Sequence, residues 1–209
     1  FRETSSRAEH GQEINQHLIS WLKDQPRQKA CQFLQSQGVA AGPVNTAQDT
    51  LGSPQLRDRG FFVRMEHPVA GPVTIPSAPY HLSRTPWRLR RPAPRLGEHN
   101  SLVLGRLGRE PRGGVKASTP GHQATTQSLA GVRVLDFTRD VAGSLGPCIL
   151  ALLGAEVIKV ESRQNPDVVR YVARSLGWKQ DKAWEGLDSS AEFNQTNLNK
   201  LGITLDLTK

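Results

Sequence analysis

The stretch VRVLDFTRDVAGSLGPCILALLGAEVIKVES, residues 132–162, decides how this chain folds. Val132 to Phe137 is a mostly apolar run of the kind buried on both faces of a parallel sheet. Thr138 to Gly143 reads as a loop. Ser144 to Leu153 reads as a helix with Leu145, Ile149, Leu152 and Leu153 inward, Pro147 in its first turn and Gly154 as its stop. Glu156 to Glu161 is a second strand. Strand, crossover helix and strand fit into the 30 residues from 132 to 161, the size of a βαβ unit. Such crossovers are right-handed almost without exception, so the spacing predicts an α/β fold with a Rossmann-like parallel βαβ layer.

Working outward, Ile203, Leu205 and Leu207 alternate as a third strand candidate. Upstream, EPRGGVKASTPGHQATTQS (Glu110 to Ser128) is nearly devoid of large apolar residues and reads as a flexible linker. The chain therefore divides into residues 1–108, a linker over 109–128, and residues 129–209. The first block reads as mixed α+β. Ile14, Leu18, Trp21 and Leu22 mark one face of a helix ending near Pro26, with Trp21 expected in the core. A second helix carries Ala30, Phe33 and Leu34 and is capped by Gly38. Ser53-Pro54 starts a brief helix. Phe61 to Glu66 and Val73 to Ile75 read as strands around a turn at residues 67–71, and Asn100 caps a helix running through Leu107 to Gly108.

Composition narrows the function classes. Of 209 residues, 36% are hydrophobic and 22% charged, which fits a globular chain and not a collagen-like, coiled-coil or wholly disordered one. No apolar run approaches the roughly 18 residues a membrane span needs. Cys31 and Cys148 stand alone in apolar contexts, so a reducing, cytoplasmic setting is expected, with no disulfide framework and no structural zinc. His67, His81 and His99 are isolated, and no metal is expected. The chain opens on Phe1, has Met65 as its only methionine and carries no leader, and reads as an internal piece of a longer polypeptide.

The net charge of +8 is uneven: residues 1–108 hold 14 Lys and Arg against 8 Asp and Glu, while residues 129–209 hold 10 of each. Much of the excess lies in SRTPWRLRRPAPR, residues 83–95. Pro86, Pro92 and Pro94 exclude a recognition helix there, so the run reads as a solvated extended segment with Trp87 as a packed anchor. No nucleic-acid partner is expected.

In a parallel sheet, ligands collect at the carboxyl ends of the strands. Two such ends are visible. One is Thr138 to Ser144, whose small residues let backbone N–H groups approach an anion at the helix start. The other is Glu161-Ser162-Arg163, where the acid could accept from a ribose or an adenine. The dinucleotide fingerprint GxGxxG is absent, and on spacing alone a plain βαβ unit with a capped helix accounts for these residues equally well.

LAGVRVLDFTRDVAGSLGPCILALLGAEVIKVES, Leu129 to Ser162, closely resembles the opening of the class III CoA-transferases, which include formyl-CoA and carnitine CoA-transferases and alpha-methylacyl-CoA racemases. FNQTNLNKLGITLDLTK, Phe193 to Lys209, resembles the same family's next block. In the first block, GVAAGPVNT (38–46), SPQLRDRGFF, HPVAGPV, SRTPW and PAPRLGEHN, followed by a helix with Leu-Gly, resemble the end of such proteins. The resemblance implies that the C-terminal portion of one unit precedes the N-terminal portion of another. A tandem fusion explains this most simply, and a circular permutation is the other reading.

The resemblance further implies acyl-CoA:carboxylate CoA-transfer through an aspartyl-CoA thioester, with coenzyme A as substrate and a carboxylic acid as acceptor. It also implies a homodimer or an intramolecular pseudo-dimer of the full-length protein. A racemase of the same family and a non-catalytic CoA- or nucleotide-binding module are the alternatives. The family's catalytic aspartate lies beyond Lys209, and Asp136, Asp140 and Asp206 do not match it, so no catalytic residue is assigned. The residues carried over to a CoA cradle are Ala142, Gly143, Arg163, Leu205, Asp206 and Lys209, with Glu161 beside them. Lys200 is a further source of charge. The family often reads Asn-Arg-Asn-Lys-Arg-Ser where this chain has Asn197-Leu198-Asn199-Lys200-Leu201-Gly202.

Overall fold

The structure, a computed structural model, describes residues 2–107, 127–171 and 186–208. Two compact units divide between Leu56 and Arg57.

The first unit is helical: α1 (Thr4–Glu9), α2 (Gly11–Leu22), α3 (Arg27–Ser36) and α4 (Ala47–Leu51). The apolar stripe lies on α2 as its spacing predicts, but Trp21 is 36% exposed and rests against the Phe33 ring at 5.5 Å between centroids, outside any buried core. α3 ends as expected. Gly38 adopts φ 76°, its N–H donates to the Gln35 carbonyl at 2.9 Å, and Val39 N–H donates to the Leu34 carbonyl at 2.9 Å. This paired closure needs the left-handed residue that glycine supplies without strain. Thr46 and Asp49 form a reciprocal cap on α4, with Thr46 N–H donating to Asp49 Oδ2 at 2.8 Å and Asp49 N–H to Thr46 Oγ1 at 3.2 Å.

After α5 (Pro54–Asp58), the second unit continues as an antiparallel hairpin of β1 (Phe62–His67) and β2 (Gly71–Pro76). His67 Nδ1 accepts the N–H groups of Val69 and Ala70, which closes the turn. An extended strap then leads to α6 (Asn100–Leu104). Here the sequence reading fails in detail. Asn100 does not cap this helix: its Oδ1 accepts Thr204 N–H at 2.8 Å and its Nδ2 donates to Thr204 Oγ1 at 2.9 Å. A neighbouring strand outcompeted the local cap. The described helix ends at Leu104, and Gly108 and most of the expected linker lie outside the described residues.

The remaining elements are β3 (Arg133–Asp136), α7 (Asp140–Leu152), β4 (Glu156–Glu161), a 3₁₀ turn (Val168–Arg170), α8 (Ala191–Thr196) and β5 (Leu201–Thr204). The strands form a parallel sheet in the order β3-β4-β5, with Val134 opposite Val157 and Ile158 opposite Leu201. β4 is central and buried along almost its whole length, as an apolar run flanked on both sides requires. On one face, Cys148 and Leu152 of α7 pack with Leu198, Met65 and Ile75, and with the anchor Trp87. On the other, Val103 and Leu104 lie against Ile158, Val160, Leu201 and Ile203. The stretches on either side of residues 108–126 thus share one core.

α7 begins at Asp140, four residues earlier than the sequence predicts, so Ala142 and Gly143 lie in a helix and not in a loop. Its inward residues are Ser144, Cys148, Ala151 and Leu152, while Leu145 is 46% exposed. The expected apolar face is rotated because two lysines lie beneath the helix start, and Ser144 is turned in to meet them.

Candidate functional site

The carboxyl ends of the three strands stand on a buried network of charges. Asp136 closes β3. Its Oδ1 accepts Thr138 N–H at 2.9 Å and Thr138 Oγ1–H at 2.6 Å, and its Oδ2 meets Lys200 Nζ at 2.8 Å. Lys200 donates also to the Ser144 carbonyl and to Asn197 Oδ1, each at 2.8 Å, so all three of its protons are used. Burial pushes the Lys200 ammonium below its ordinary value, against the opposing pull of Asp136. Lys200 is fully enclosed and supplies no charge to a ligand, contrary to the sequence reading.

Lys159, in the middle of β4, is likewise 0% exposed. It reaches Asp167 Oδ2 at 2.7 Å, the Thr138 carbonyl at 2.8 Å and Ser144 Oγ at 3.1 Å. Asp167 Oδ1 accepts the N–H groups of Asp140 at 2.9 Å and Val169 at 3.3 Å. Burial raises the Asp167 carboxyl, but Lys159 and these amides outweigh it and hold the group below its ordinary value. An anion therefore does lie at the start of α7, and it is the chain's own carboxylate. Asp140 adopts φ 66°, a left-handed conformation that few side chains tolerate, and its Oδ1 accepts Val141 N–H at 2.7 Å. Ala142 follows as a first-turn amide without a side-chain acceptor among the described residues, and Gly143 stands where the intrahelical hydrogen bonds begin. A Cβ on Gly143 would stand 3.0 Å from Thr138 Cβ, so the helix start is packed tightly onto the loop.

Glu161 closes β4, and its carboxylate is fully engaged. Arg170 Nε and Nη2 donate to its two oxygens at 2.9 and 2.8 Å, and Asp167 N–H donates to Oε1 at 3.0 Å. Arg170 also meets Asp188 Oδ1 at 2.6 Å and lies 3.5 Å above the Phe193 ring. Glu161 acts on its surroundings through its carbonyl, which accepts Leu205 N–H at 2.9 Å. Arg163 is exposed, and its guanidinium lies beside Gly97 and Thr204: a Cβ on Gly97 would stand 3.3 Å from Arg163 Nη2 and 3.1 Å from Thr204 Oγ1. Asp206 accepts from Thr208 N–H at 3.1 Å and from Thr208 Oγ1–H at 2.7 Å. Arg139 ties the loop after β3 to the loop after β4, donating to Asn165 Oδ1 at 3.0 Å and the Pro166 carbonyl at 2.9 Å.

Glu161, Arg163 and Leu205 are thus brought together at the ends of β4 and β5, and Ala142 and Gly143 stand at the tied loop after β3. Lys209 lies outside the described residues. The sequence reading missed Lys159, Asp167 and Arg170. The signal was present: a lysine inside the apolar run Val157 to Val160 is tolerated in a buried strand only with a carboxylate partner.

A family model described as "CoA-transferase family III" matches residues 1–100 and 129–209. The chain belongs to CoA-transferase family III. Among its relatives, a probable CoA-transferase of Mycobacterium tuberculosis is 32% identical over 51% of this chain and 14% of its own length. A succinate–glutarate CoA-transferase of Agrobacterium fabrum is 28% identical over 51% of this chain and 27% of its own. A formyl-CoA:oxalate CoA-transferase of Rhodopseudomonas palustris is 40% identical over 39% and 17%. A crystal structure of the hypothetical protein Rv3272 from M. tuberculosis is 36% identical, covers 40% of this chain and 19% of that one, and has a TM-score of 0.30. The chain spans about a quarter or less of the length of these relatives. Within this family III chain, among the described residues, no helix is long and apolar enough to cross a membrane, and no group of three His, Cys, Asp or Glu could hold a metal ion.

Proposed function

We propose that this chain carries the CoA-facing floor of an acyl-CoA:carboxylate CoA-transferase, built on a Rossmann-like layer, and that the catalytic carboxylate lies outside it. The observation that carries this reading is the co-folding of the two family-matched stretches, residues 57–100 and 129–208, into one hydrogen-bonded unit. In that floor Ala142 and Gly143 border the ligand, Arg163 and Lys209 meet phosphate, and Leu205 and Asp206 line the base. Glu161 serves as the anchor that fixes Leu205. The network of Asp136, Lys159, Asp167, Arg170 and Lys200 holds these parts rigid.

In the complete protein an aspartate attacks the acyl-CoA thioester, expelling the CoA thiolate and leaving a mixed anhydride. The thiolate then attacks the aspartyl carbonyl, which releases the acid and forms aspartyl-CoA. The acceptor carboxylate attacks that thioester in turn, expelling the thiolate and leaving a second mixed anhydride, and the thiolate then attacks the acceptor carbonyl, which frees the aspartate carboxylate and forms the new acyl-CoA. On this reading residues 1–108 derive from one unit and 129–209 from the next, joined by a linker over 109–128. The full-length protein acts in the cytoplasm as a homodimer or pseudo-dimer.

The test is a titration of the 209-residue chain with CoA at low and high salt, followed by incubation with succinyl-CoA and a dicarboxylate. Weak, salt-sensitive binding without acyl exchange is the expected result. Acyl exchange by this chain alone would overturn the placement of the catalytic carboxylate. No CoA binding at low salt would overturn the floor.

A further inference from the structure

The amino ends of the parallel strands, the opposite edge from the floor just described, border a cavity of about 600 Å³. Its walls include Val132, Gly154 to Val157 and Leu201, and it is ringed by Arg90, Arg91, Arg106 and Arg133 with Glu156 as the facing acid. We propose that this cavity is a binding site for a small oligophosphate anion, distinct from the CoA floor and independent of it.

The volume lies within the range of small-molecule sites. Among the described residues the cavity is lined by four guanidiniums and one carboxylate, an excess of cations in a concave wall that focuses positive potential. Glu156 is shared between Arg133, whose Nε lies 2.7 Å from Oε1, and Arg106, whose Nη1 lies 4.0 Å from Oε2. The side chains of Arg90 and Arg91 have no acceptor or carboxylate of their own among the described residues, and both are exposed. Their backbone, in contrast, is fixed. The N–H groups of Arg90 and Arg91 donate to Asn199 Oδ1 at 2.7 and 3.1 Å, and Asn199 N–H donates to the Arg91 carbonyl at 3.2 Å. The strap is bound firmly to the sheet while its charges are left unmatched.

Guanidinium forks pair bidentately with phosphate. Two linked phosphates carry more negative charge than a dicarboxylate with which to answer Arg90 and Arg91 together. β4, six residues long, separates this edge from the other by roughly 20 Å at about 3.3 Å per residue, so one phosphate group does not touch both.

The experiment is calorimetric titration of the 209-residue chain with inorganic pyrophosphate at about 50 mM salt. Saturable binding is expected, with affinity falling at least tenfold in the double variant R90Q/R91Q. E156Q, which removes the competing carboxylate, should tighten binding several-fold and decides the matter if the double variant fails to fold. Succinate at equal ionic strength should bind at least tenfold more weakly. Absence of saturable pyrophosphate binding, equal affinity in R90Q/R91Q, no tightening in E156Q, or succinate binding as tightly would each overturn the proposal. So would displacement of pyrophosphate by a single-stranded oligonucleotide covering many nucleotides per chain, which would make the cavity part of a nucleic-acid surface.

Discussion

Lys200 Nζ and Asp136 Oδ2 meet at 2.8 Å across 64 positions of sequence, and neither side chain touches water. The pair joins the entry of β5 to the exit of β3 across the central strand. With Lys159 and Asp167 it places two lysines and two aspartates beneath the first turns of α7. Each charge is neutralised and each proton directed, which is the condition under which such burial is tolerated.

Removing one partner should expose that dependence. Lys200→Met leaves Asp136 buried with only Thr138 as its donor, and the unfolding free energy is expected to fall by about 3–5 kcal/mol. The double variant Asp136→Asn/Lys200→Met should be less destabilised than the sum of the two singles. Urea denaturation of the four proteins measures both. A loss below about 1 kcal/mol for Lys200→Met would mean the pair does not hold the sheet ends together.

The acid limb of stability should carry the mark of Asp167. Its carboxyl lies below the ordinary value of 3.8 in the folded chain, so folding favours the ionised form. That contribution is fully present above the ordinary value and is lost as the pH falls through the lower folded value. The melting temperature should hold down to about pH 4 and then drop, with a shallower drop in Asp167→Asn. Identical slopes in the two proteins would assign the acid limb to other carboxylates.

Much of this architecture was legible because it is local or periodic. Strands β3 and β4, the crossover helix and the hairpin follow from apolar runs and turn residues, and β4 falls on the residues its sequence predicts, whereas β5 runs over Leu201–Thr204 and ends before the expected Leu205 and Leu207. The buried face of α7 was not legible, because periodicity ranks Leu145 above Ser144 and takes no account of a lysine on the strand below. Asn100 failed for a similar reason: its cap is a local bond, and Thr204 offered two bonds from a strand 104 positions away. Of the candidate site, the small residues after β3 and the acid ending β4 were readable. Glu161's engagement with Arg170 was not, since nothing in the spacing says that the 3₁₀ turn folds back onto the strand.

Gly202 lies against the strap with no room for a side chain. A Cβ on Gly202 would stand 2.8 Å from Pro94 Cβ and 3.2 Å from the Arg95 carbonyl oxygen. Gly202→Ser should therefore destabilise the chain by about 1–3 kcal/mol, read from the denaturation midpoint. Unchanged stability would show that the strap moves aside freely.

Arg163 is the exposed cation that the fold brings to the proposed floor. Arg163→Gln should weaken CoA binding by about fivefold at low salt, worth roughly 1 kcal/mol for a solvent-exposed charge, and by less at high salt. The melting temperature should not change, because Arg163 forms no ion pair among the described residues. A CoA affinity indifferent to Arg163 would remove it from the site.

The strap and the sheet are joined above all by Asn199. Its Oδ1 accepts two N–H groups, and its Nδ2 donates to the Arg88 carbonyl at 2.6 Å and to the Ala151 carbonyl at 3.3 Å. Its φ of 63° adds a second demand, since asparagine tolerates the left-handed region better than alanine does. The two contributions separate by substitution. Asn199→Gly keeps the backbone conformation and loses four side-chain hydrogen bonds, with an expected cost of about 2–4 kcal/mol. Asn199→Ala loses the same bonds and adds backbone strain of about 1 kcal/mol, so it should be the less stable of the two. Alanine proving equal to glycine would mean the loop relaxes to an ordinary φ once the side chain is gone. In both variants the amides of Arg90 and Arg91 lose their acceptor, so hydrogen exchange at those two positions should speed up together. Exchange at only one of them would show that the strap is held by its ends and not by this single side chain.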